Sequence, residues 1–420
     1  MHCFVVVMVS TSPLTQSISR RGILAGIPVV ALVLAGCTAT GSTSTATGTA
    51  TTAPTGTPAA AGSVAALAQA FQASLSAEQQ ATLVQSYTLT NAELWSNFPQ
   101  ALLSGMGGGG AGGGGGTRPS GASGMPTDGA RPSGTAGGAG GGGMPSGLGG
   151  GARLGLSIGD LSDAQLALFE SLLKATTGTA TGLGYDEIQQ HLNADDYLAD
   201  NGGADDYGRS QFFVAFLGVP QDTGTWEFQF GGHHLAVANT YIDGSLAGAT
   251  PSFRGIEPNG DFEWDGATNH PMAAKEAVFT AAFSSLTSEQ QSTAKLSDVY
   301  SDLVLGPGND WAFPATKEGL QVSSLSTDQK SLVLAAIASY VNDIADADAA
   351  TILATYTAEL DDTYLAFSGS TTFTQLNDYF RIDGPSVWIE LSLQNGIVLS
   401  GYHPHTVWRD HNTDYGGTKS

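Results

Sequence analysis

Between Met106 and Gly151 the chain has no apolar periodicity, and it runs through Gly107–Gly110 and Gly112–Gly116 with nothing able to pack. Such a stretch buries too little apolar surface to offset the entropy of ordering it, and it is read as a disordered insertion in a loop. Whatever folds must be assembled from Ser63–Gly105 and Ala152–Gly417 on either side of it. A flexible segment of this length reaches about 37 Å, and its closure cost grows only logarithmically, so one domain tolerates it. Thr38–Gly62 is a second tract of this kind, rich in Thr, Ala, Gly and Ser, and is expected to be a disordered tether. The foldable remainder, about 310 residues, supports a substantial core in one domain spanning 63–417, interrupted at 106–151.

One local pattern recurs through that remainder. Leu75-Ser76-Ala77-Glu78-Gln79, Leu161-Ser162-Asp163-Ala164-Gln165, Leu286-Thr287-Ser288-Glu289-Gln290 and Leu325-Ser326-Thr327-Asp328-Gln329 share it. Each places Ser or Thr where a helix begins and Gln three residues on, the reciprocal capping box, with Leu before it as a staple. An amphipathic run follows each. The third is expected to continue through Ala294, Leu296, Val299, Tyr300 and Leu303, and the fourth through Leu332, Leu334, Ile337, Tyr340 and Val341. These are helix starts and carry no chemistry.

Strand signals cluster elsewhere: Gln211 to Phe216, Thr225 to Phe230, and Leu235 to Tyr241 followed by the hairpin dipeptide Asp243-Gly244. A later group comprises Phe380 to Ile382, Ser386 to Leu393, and Ile397 to Trp408. Hairpin-like strand sets with helices in blocks around them predict an α+β fold, a mainly antiparallel sheet flanked by capped amphipathic helices.

The amino end reads as an export signal. Ser19-Arg20-Arg21-Gly22-Ile23-Leu24 is a twin-arginine pattern, and the apolar run Ile23 to Leu34 is too short to span a bilayer but suits a signal-peptide core. Leu34-Ala35-Gly36-Cys37 matches a lipobox, which makes Cys37 the lipidated first residue of the mature chain. The expectation is a lipoprotein outside the cytoplasm, anchored through its acyl chain to the bacterial envelope. Without residues 1–37 the chain has 13 basic and 38 acidic residues, a net −25. That balance excludes nucleic acid as a partner, since phosphate binding needs basic stripes. It also leaves the anchor as the sole means of membrane attachment. Cys3 and Cys37 are the two cysteines, so the folded domain has neither a disulfide nor a thiolate. Any metal must be held by His and carboxylate.

Eight histidines occur, four of them in two motifs. His403 and His405 lie two apart in a β-prone stretch, and alternate strand residues face one side, about 7 Å apart. His233-His234 follows the strand-like run Trp226 to Phe230. Adjacent strand side chains diverge, so one of these two is expected to ligate while its neighbour packs or hydrogen-bonds. Three imidazoles suit zinc, copper or iron, and three protein ligands with an open position is the form of catalytic zinc. Pro404 lacks an N–H and is expected at a bulge or sheet edge.

At these motifs the chain resembles the uncharacterised bacterial family known as domain of unknown function 3500. The resemblance rests on Phe216-Leu217-Gly218-Val219-Pro220, Trp226 to Phe230 leading into Gly232-His233-His234-Leu235, and Thr250-Pro251-Ser252-Phe253. It rests further on Tyr379-Phe380-Arg381-Ile382 and on His403 through Asp410 with Asp414-Tyr415-Gly416. It covers essentially all of Ser63–Gly417 apart from the glycine insertion, and it implies one contiguous domain but no reaction.

Other candidates have two readings each. Glu257 is a carboxylate ligand or general base, or else a solvated loop acid. Glu390 supports a ligating histidine or faces water. Arg409 and Arg381 grip an anionic group of a small-molecule substrate, or lie pinned in buried ion pairs. His191, His270 and His411 are read as bystanders. No nucleophile elbow, P-loop or dinucleotide fingerprint occurs. The expectation is therefore a surface lipoprotein with a histidine-held divalent metal, serving hydrolysis or, less readily, oxidation of a small substrate. Its rival is a non-catalytic lipoprotein that binds metal or ligand.

Overall fold

The computed structural model describes residues 54–100, 103 and 153–419. The expected signal peptide with Cys37, the first part of the tether and the glycine insertion lie outside the described residues. Residues 54–62, the last part of the expected tether, make contacts with the body: Gln69 Nε2 donates to the Thr57 carbonyl at 2.7 Å, and the Ala60 amide donates to Asp222 Oδ2 at 2.5 Å. Among the described residues no helix is long and apolar enough to cross a membrane.

The strands are β1 (Val84–Gln85), β2 (Leu156–Ser157), β3 (Phe213–Leu217), β4 (Thr225–Gly232), β5 (Leu235–Ile242), β6 (Ser245–Gly248) and β7 (Ser252–Gly255). After them come β8 (Phe262–Trp264), β9 (Ala267–Asn269), β10 (Leu320–Gln321), β11 (Tyr364–Ser368), β12 (Tyr379–Asp383), β13 (Val387–Asn395) and β14 (Tyr402–Asp410). All but β8 and β9 join one sheet, in the order β1-β3-β4-β5-β7-β14-β13-β12-β11-β10, with β2 on β3 and β6 on β5. Pairing is antiparallel throughout except for β1 on β3. The α+β expectation holds.

The two halves of this sheet are built alike and meet where β7 pairs antiparallel with β14. In the first half β2 pairs antiparallel with β3, and β1 lies parallel to β3 on the same side. In the second, β10 pairs antiparallel with β11, and Lys295 forms a parallel bridge to Phe367 of β11. The recurring capping boxes occupy matching places, and all four close as expected. They also lock to one another: Gln165 Nε2 donates to Gln79 Oε1 at 3.2 Å and the Ser74 carbonyl at 3.0 Å. Gln329 Nε2 donates likewise to Gln290 Oε1 at 2.8 Å and the Ser285 carbonyl at 2.9 Å. The glutamine that caps one helix therefore also fixes it to its neighbour.

Alternation along the strands divides the sheet into unlike faces. One is apolar and covered by helices. Phe216, Phe228 and Phe230 pack with Phe169, Leu172 and Ile188 of helices Asp163–Thr176 and Gly184–Leu198. Phe380, Ile389 and Leu391 pack with Phe279, Phe283 and Ile337 of helices Ala273–Ser284 and Thr327–Val341. Where the helical layers adjoin, Lys275 lies fully buried between Glu187 at 2.6 Å and Asp343 at 2.9 Å, with Arg254 of β7 at 3.6 Å from each carboxylate. Two cations and two anions offset one another's burial. The other face is polar and carries Glu227, Glu390, Arg381, Arg409, His403 and His405 under a cover of loops, with Trp95 and Leu303 packed on Phe253 and Val407.

Several boundaries differ from the sequence expectation. The third capped helix ends at Ala294, because Lys295 leaves to bridge Phe367, so Leu296 to Leu303 form a loop. The fourth runs Thr327–Val341 but buries Val333, Ala336, Ile337, Tyr340 and Val341, leaving Leu332 and Leu334 partly exposed. The last strand starts at Tyr402, since residues 396–401 form the turn from β13. Pro404 sits in a central strand with no bulge. Its carbonyl still accepts the Ile256 amide at 3.2 Å, and its nitrogen faces the point where β7 has ended, so little ladder is lost.

Candidate metal centre

His403 and His405 share the polar face of β14, as a two-residue spacing dictates. His234 reaches the same point from the tight turn between β4 and β5. Its backbone is left-handed (φ 60°), its N–H donates to the Asn97 carbonyl at 3.1 Å, and its carbonyl accepts the Gly255 amide at 2.8 Å. Gly255 passes between two of the rings. A Cβ there would lie 3.0 Å from Cδ2 of both His234 and His405, tighter than most Cβ contacts, so a larger residue would have to push the two rings aside.

The three Nε2 atoms converge. His405 Nε2 is 3.0 Å from His403 Nε2 and 3.3 Å from His234 Nε2. Ligand nitrogens of the three residues all lie within 4.8 Å of one another. Two nitrogens bound tetrahedrally at the usual zinc distance are separated by roughly 3.3–3.4 Å. The three residues can hold a metal ion. Among the described residues no further His, Cys, Asp or Glu joins this group.

The electrostatics favour lone pairs over protons. Burial, reinforced by neighbouring His233, His403 and His405, holds His234 well below its ordinary pKa. Burial followed by His405 and His233 lowers His403 to about 3. A neutral imidazole is the form that accepts a cation. On the far side of the His405 ring, Nδ1 lies 3.3 Å from Asp302 Oδ1. Desolvation pushes Asp302 upward, but its hydrogen bonds with His405 and the Leu303 amide help to outweigh it and hold the carboxyl below its ordinary value. A carboxylate at the outer nitrogen of a ligating histidine fixes the ring and its tautomer. His403 Nδ1 makes no well-formed hydrogen bond, although the Asn395 carbonyl lies near enough to favour a proton there.

Of the paired histidines, His234 joins the centre and His233 does not. His233 stacks on His234 with ring centroids 3.7 Å apart, and its Nδ1 lies 2.6 Å from Asp195 Oδ1. The Tyr207 ring stands edge-on to it at 4.9 Å. Glu257 is outside the metal group as well. Its Oε1 accepts the amides of Ile397, Val398 and Leu399 at 3.0, 3.1 and 2.6 Å, which fastens the β13–β14 turn. It is neither a ligand nor a solvated acid in this arrangement. A hollow beside it is lined by Asn259, Leu399, Ser400 and Tyr402.

Neither arginine is available to a substrate. Arg409 is fully buried: it donates from Nε to Asp414 Oδ2 at 2.8 Å, from Nη2 to Asp310 Oδ1 at 2.7 Å and from Nη1 to the Leu305 carbonyl at 3.2 Å. Trp95 and Tyr415 flank its guanidinium. Arg381 lies over the Trp388 ring and donates to Glu318 Oε2 at 3.0 Å, two strands away from β14. Of their two sequence readings the buried ion pair is the one the fold realises and the grip on an anion is not, because loops close over this face of the sheet.

Sequence reasoning missed Asp195 and Asp302. Asp195 lies one helical turn after His191, and that periodicity was the only available signal. Asp302 sits in a polar loop and looks like any surface acid. His191 is buried, with Nδ1 2.9 Å from the Glu187 carbonyl, and burial plus nearby Arg254 lower it to about 3.

A family model described as "Protein of unknown function (DUF3500)" matches residues 149–417. The match takes in His234, His403, His405, Asp195 and Asp302, and begins after Ser63–Gly105, which the sequence resemblance had included. No curated protein and no solved structure matches the chain.

Proposed function

We propose that this chain, which belongs to the family described as protein of unknown function DUF3500, is an extracytoplasmic lipoprotein whose His234, His403 and His405 hold a divalent metal that serves hydrolysis of a small substrate. The observation that carries this reading is the convergence of three buried Nε2 atoms from two distant parts of the chain. A divalent ion held by three imidazoles supplies Lewis-acid chemistry. The chain's own residues bind and orient. Neutral imidazoles present lone pairs, Asp302 steadies His405, and Asp195 turns His233 aside so that it stacks on His234. All-nitrogen ligation suits zinc, copper or iron. The hollow beside Tyr402 gives room for a small molecule.

Export and anchoring rest on sequence alone: the twin-arginine pattern at Arg20-Arg21 and the lipobox ending at Cys37. Replacing Cys37 by Ser is expected to release the protein from membranes, seen by fractionation.

A second reading, a non-catalytic metal-binding lipoprotein, is favoured by one observation. His234, His403 and His405 are 5%, 1% and 7% exposed, which suits retention more than turnover. Elemental analysis of the purified mature chain tests both. About one metal per chain is expected, lost in His403→Ala/His405→Ala; sub-stoichiometric metal in the parent, or retention by the variant, ends the proposal. Water relaxation of the manganese- or copper-loaded protein then separates the readings, since an exchanging water requires an open position.

A further inference from the structure

Two carboxylates clamp the loop Asp302–Leu305. Asp302 Oδ1 accepts the Leu303 amide at 2.7 Å while facing His405 Nδ1. The next two amides, Val304 and Leu305, donate to Glu390 Oε1 and Oε2 at 2.6 and 2.8 Å. Glu390 stands fully buried on β13, on the same face as His403 and His405. Its remaining lone pairs take the Tyr379 hydroxyl at 2.6 Å and Trp388 Nε1 at 2.8 Å. Tyr300, just ahead of the loop, stacks on Tyr379 at 4.4 Å, and Arg409 holds the Leu305 carbonyl.

A buried carboxylate without a cationic partner adds little net stability, since its hydrogen bonds largely repay its desolvation. What it supplies is a fixed position for the backbone that it binds. The loop's outermost member, Asp302, is 57% exposed and would otherwise be free to swing into water. We infer that Glu390 is a positioning residue of the histidine centre: by clamping the Val304 and Leu305 amides it holds Asp302 against His405 Nδ1. His405 Nε2, the nitrogen shared with both other rings, then faces them without its proton. This inference rests on the metal reading above and assigns Glu390 a role through Asp302, with no contact to the metal itself.

The test uses the full chain with zinc as probe. Asp302→Ala and Glu390→Gln are each expected to weaken zinc about 10- to 100-fold. The double variant is expected to be no weaker than the worse single, because both act through one contact. In metal-free protein Glu390→Gln should speed hydrogen exchange at Val304 and Leu305, whereas Asp302→Ala should leave those two amides protected. If Glu390→Gln fails to fold, Tyr379→Phe removes one of the four donors and should move affinity and exchange the same way, less far. Unchanged zinc affinity despite lost amide protection, or additive losses in the double variant, would overturn the inference. Should the parent take up no zinc, copper or iron while these amides remain protected through Glu390, the metal reading fails and the clamp stands.

Discussion

The two halves of the sheet share a scaffold and differ in what they carry. Phe216 opposite Phe228 in the first half corresponds to Phe367 opposite Phe380 in the second, within the same antiparallel order. Yet the β4–β5 turn of the first half holds His233-His234, while the matching β12–β13 turn is Gly384-Pro385-Ser386. Conversely β14 presents His403 and His405, where its neighbour β7 offers Gly255. The histidine centre is assembled from the features that the halves do not share. Its location follows from the seam, since β7 and β14 pair there and bring the first half's turn beside the second half's last strand. The shared architecture builds the scaffold, and the differences bring the three histidines together.

The sharpest way to break this comparison is to test histidines of the centre against one outside it. His403→Ala/His405→Ala is expected to abolish tight zinc binding, read as metal retained after dialysis. His411→Ala, at the end of β14 beside the histidine-free turn, should retain it. Equal loss in both would remove the asymmetry.

Next in size is the buried charge cluster that joins the helical layers. Lys275→Met strands Glu187 and Asp343 in the interior with only Arg254 between them. A loss of about 3–5 kcal/mol in denaturant unfolding is expected. A change within about 1 kcal/mol would mean that apolar packing alone holds the layers together.

A third test concerns Glu227, which occupies in the first half the position that Tyr379 holds in the second. Burial, partly offset by Thr240 and Gln229, raises its carboxyl from 4.5 to about 7. The folded state thus binds a proton that the unfolded state releases above 4.5, so the stability linked to that proton is complete below pH 4.5 and lost as pH rises through 7. Glu227→Gln should therefore unfold at higher urea than the parent at pH 8, by up to roughly 3 kcal/mol, and at the same urea near pH 4. A variant less stable than the parent at pH 8 would show that the charged form is the one the fold prefers.

The smallest effects sharpen the likeness of the halves. Ser162→Ala and Ser326→Ala each remove the cap of a matching helix, at about 1 kcal/mol apiece. Similar melting shifts are expected; a severalfold difference would show that the matched caps bear unequal shares.

Much of this molecule was legible beforehand where the physics is local. Ser76, Ser162, Thr287 and Ser326 announce helix starts because a hydroxyl three residues before a glutamine satisfies amides within one turn. Asp243-Gly244 announces a hairpin because both residues take positive φ (48° and 77°). The failures were equally physical. Lys295 ends its helix for a bridge to Phe367, a residue 72 positions on, which no local pattern encodes. Arg381 and Arg409 fitted an anion clamp or a buried ion pair equally in the sequence, and only the loops folded over them decided for the ion pair.

The candidate site divides along the same line. Two-residue alternation places His403 and His405 on one face whatever the rest of the chain does, whereas His233 and His234 lie in a turn, where strand divergence does not apply and their rings stack. Which of the pair turns inward was decided by Asp195 capturing His233 and by the left-handed backbone at His234. That His234 meets His405 at all, across 171 residues, depends on the order β5-β7-β14. Side-chain direction along a strand is set by neighbouring peptide geometry and survives in the sequence. Strand order and loop closure are set by the packing of distant surfaces, and only the assembled fold holds them.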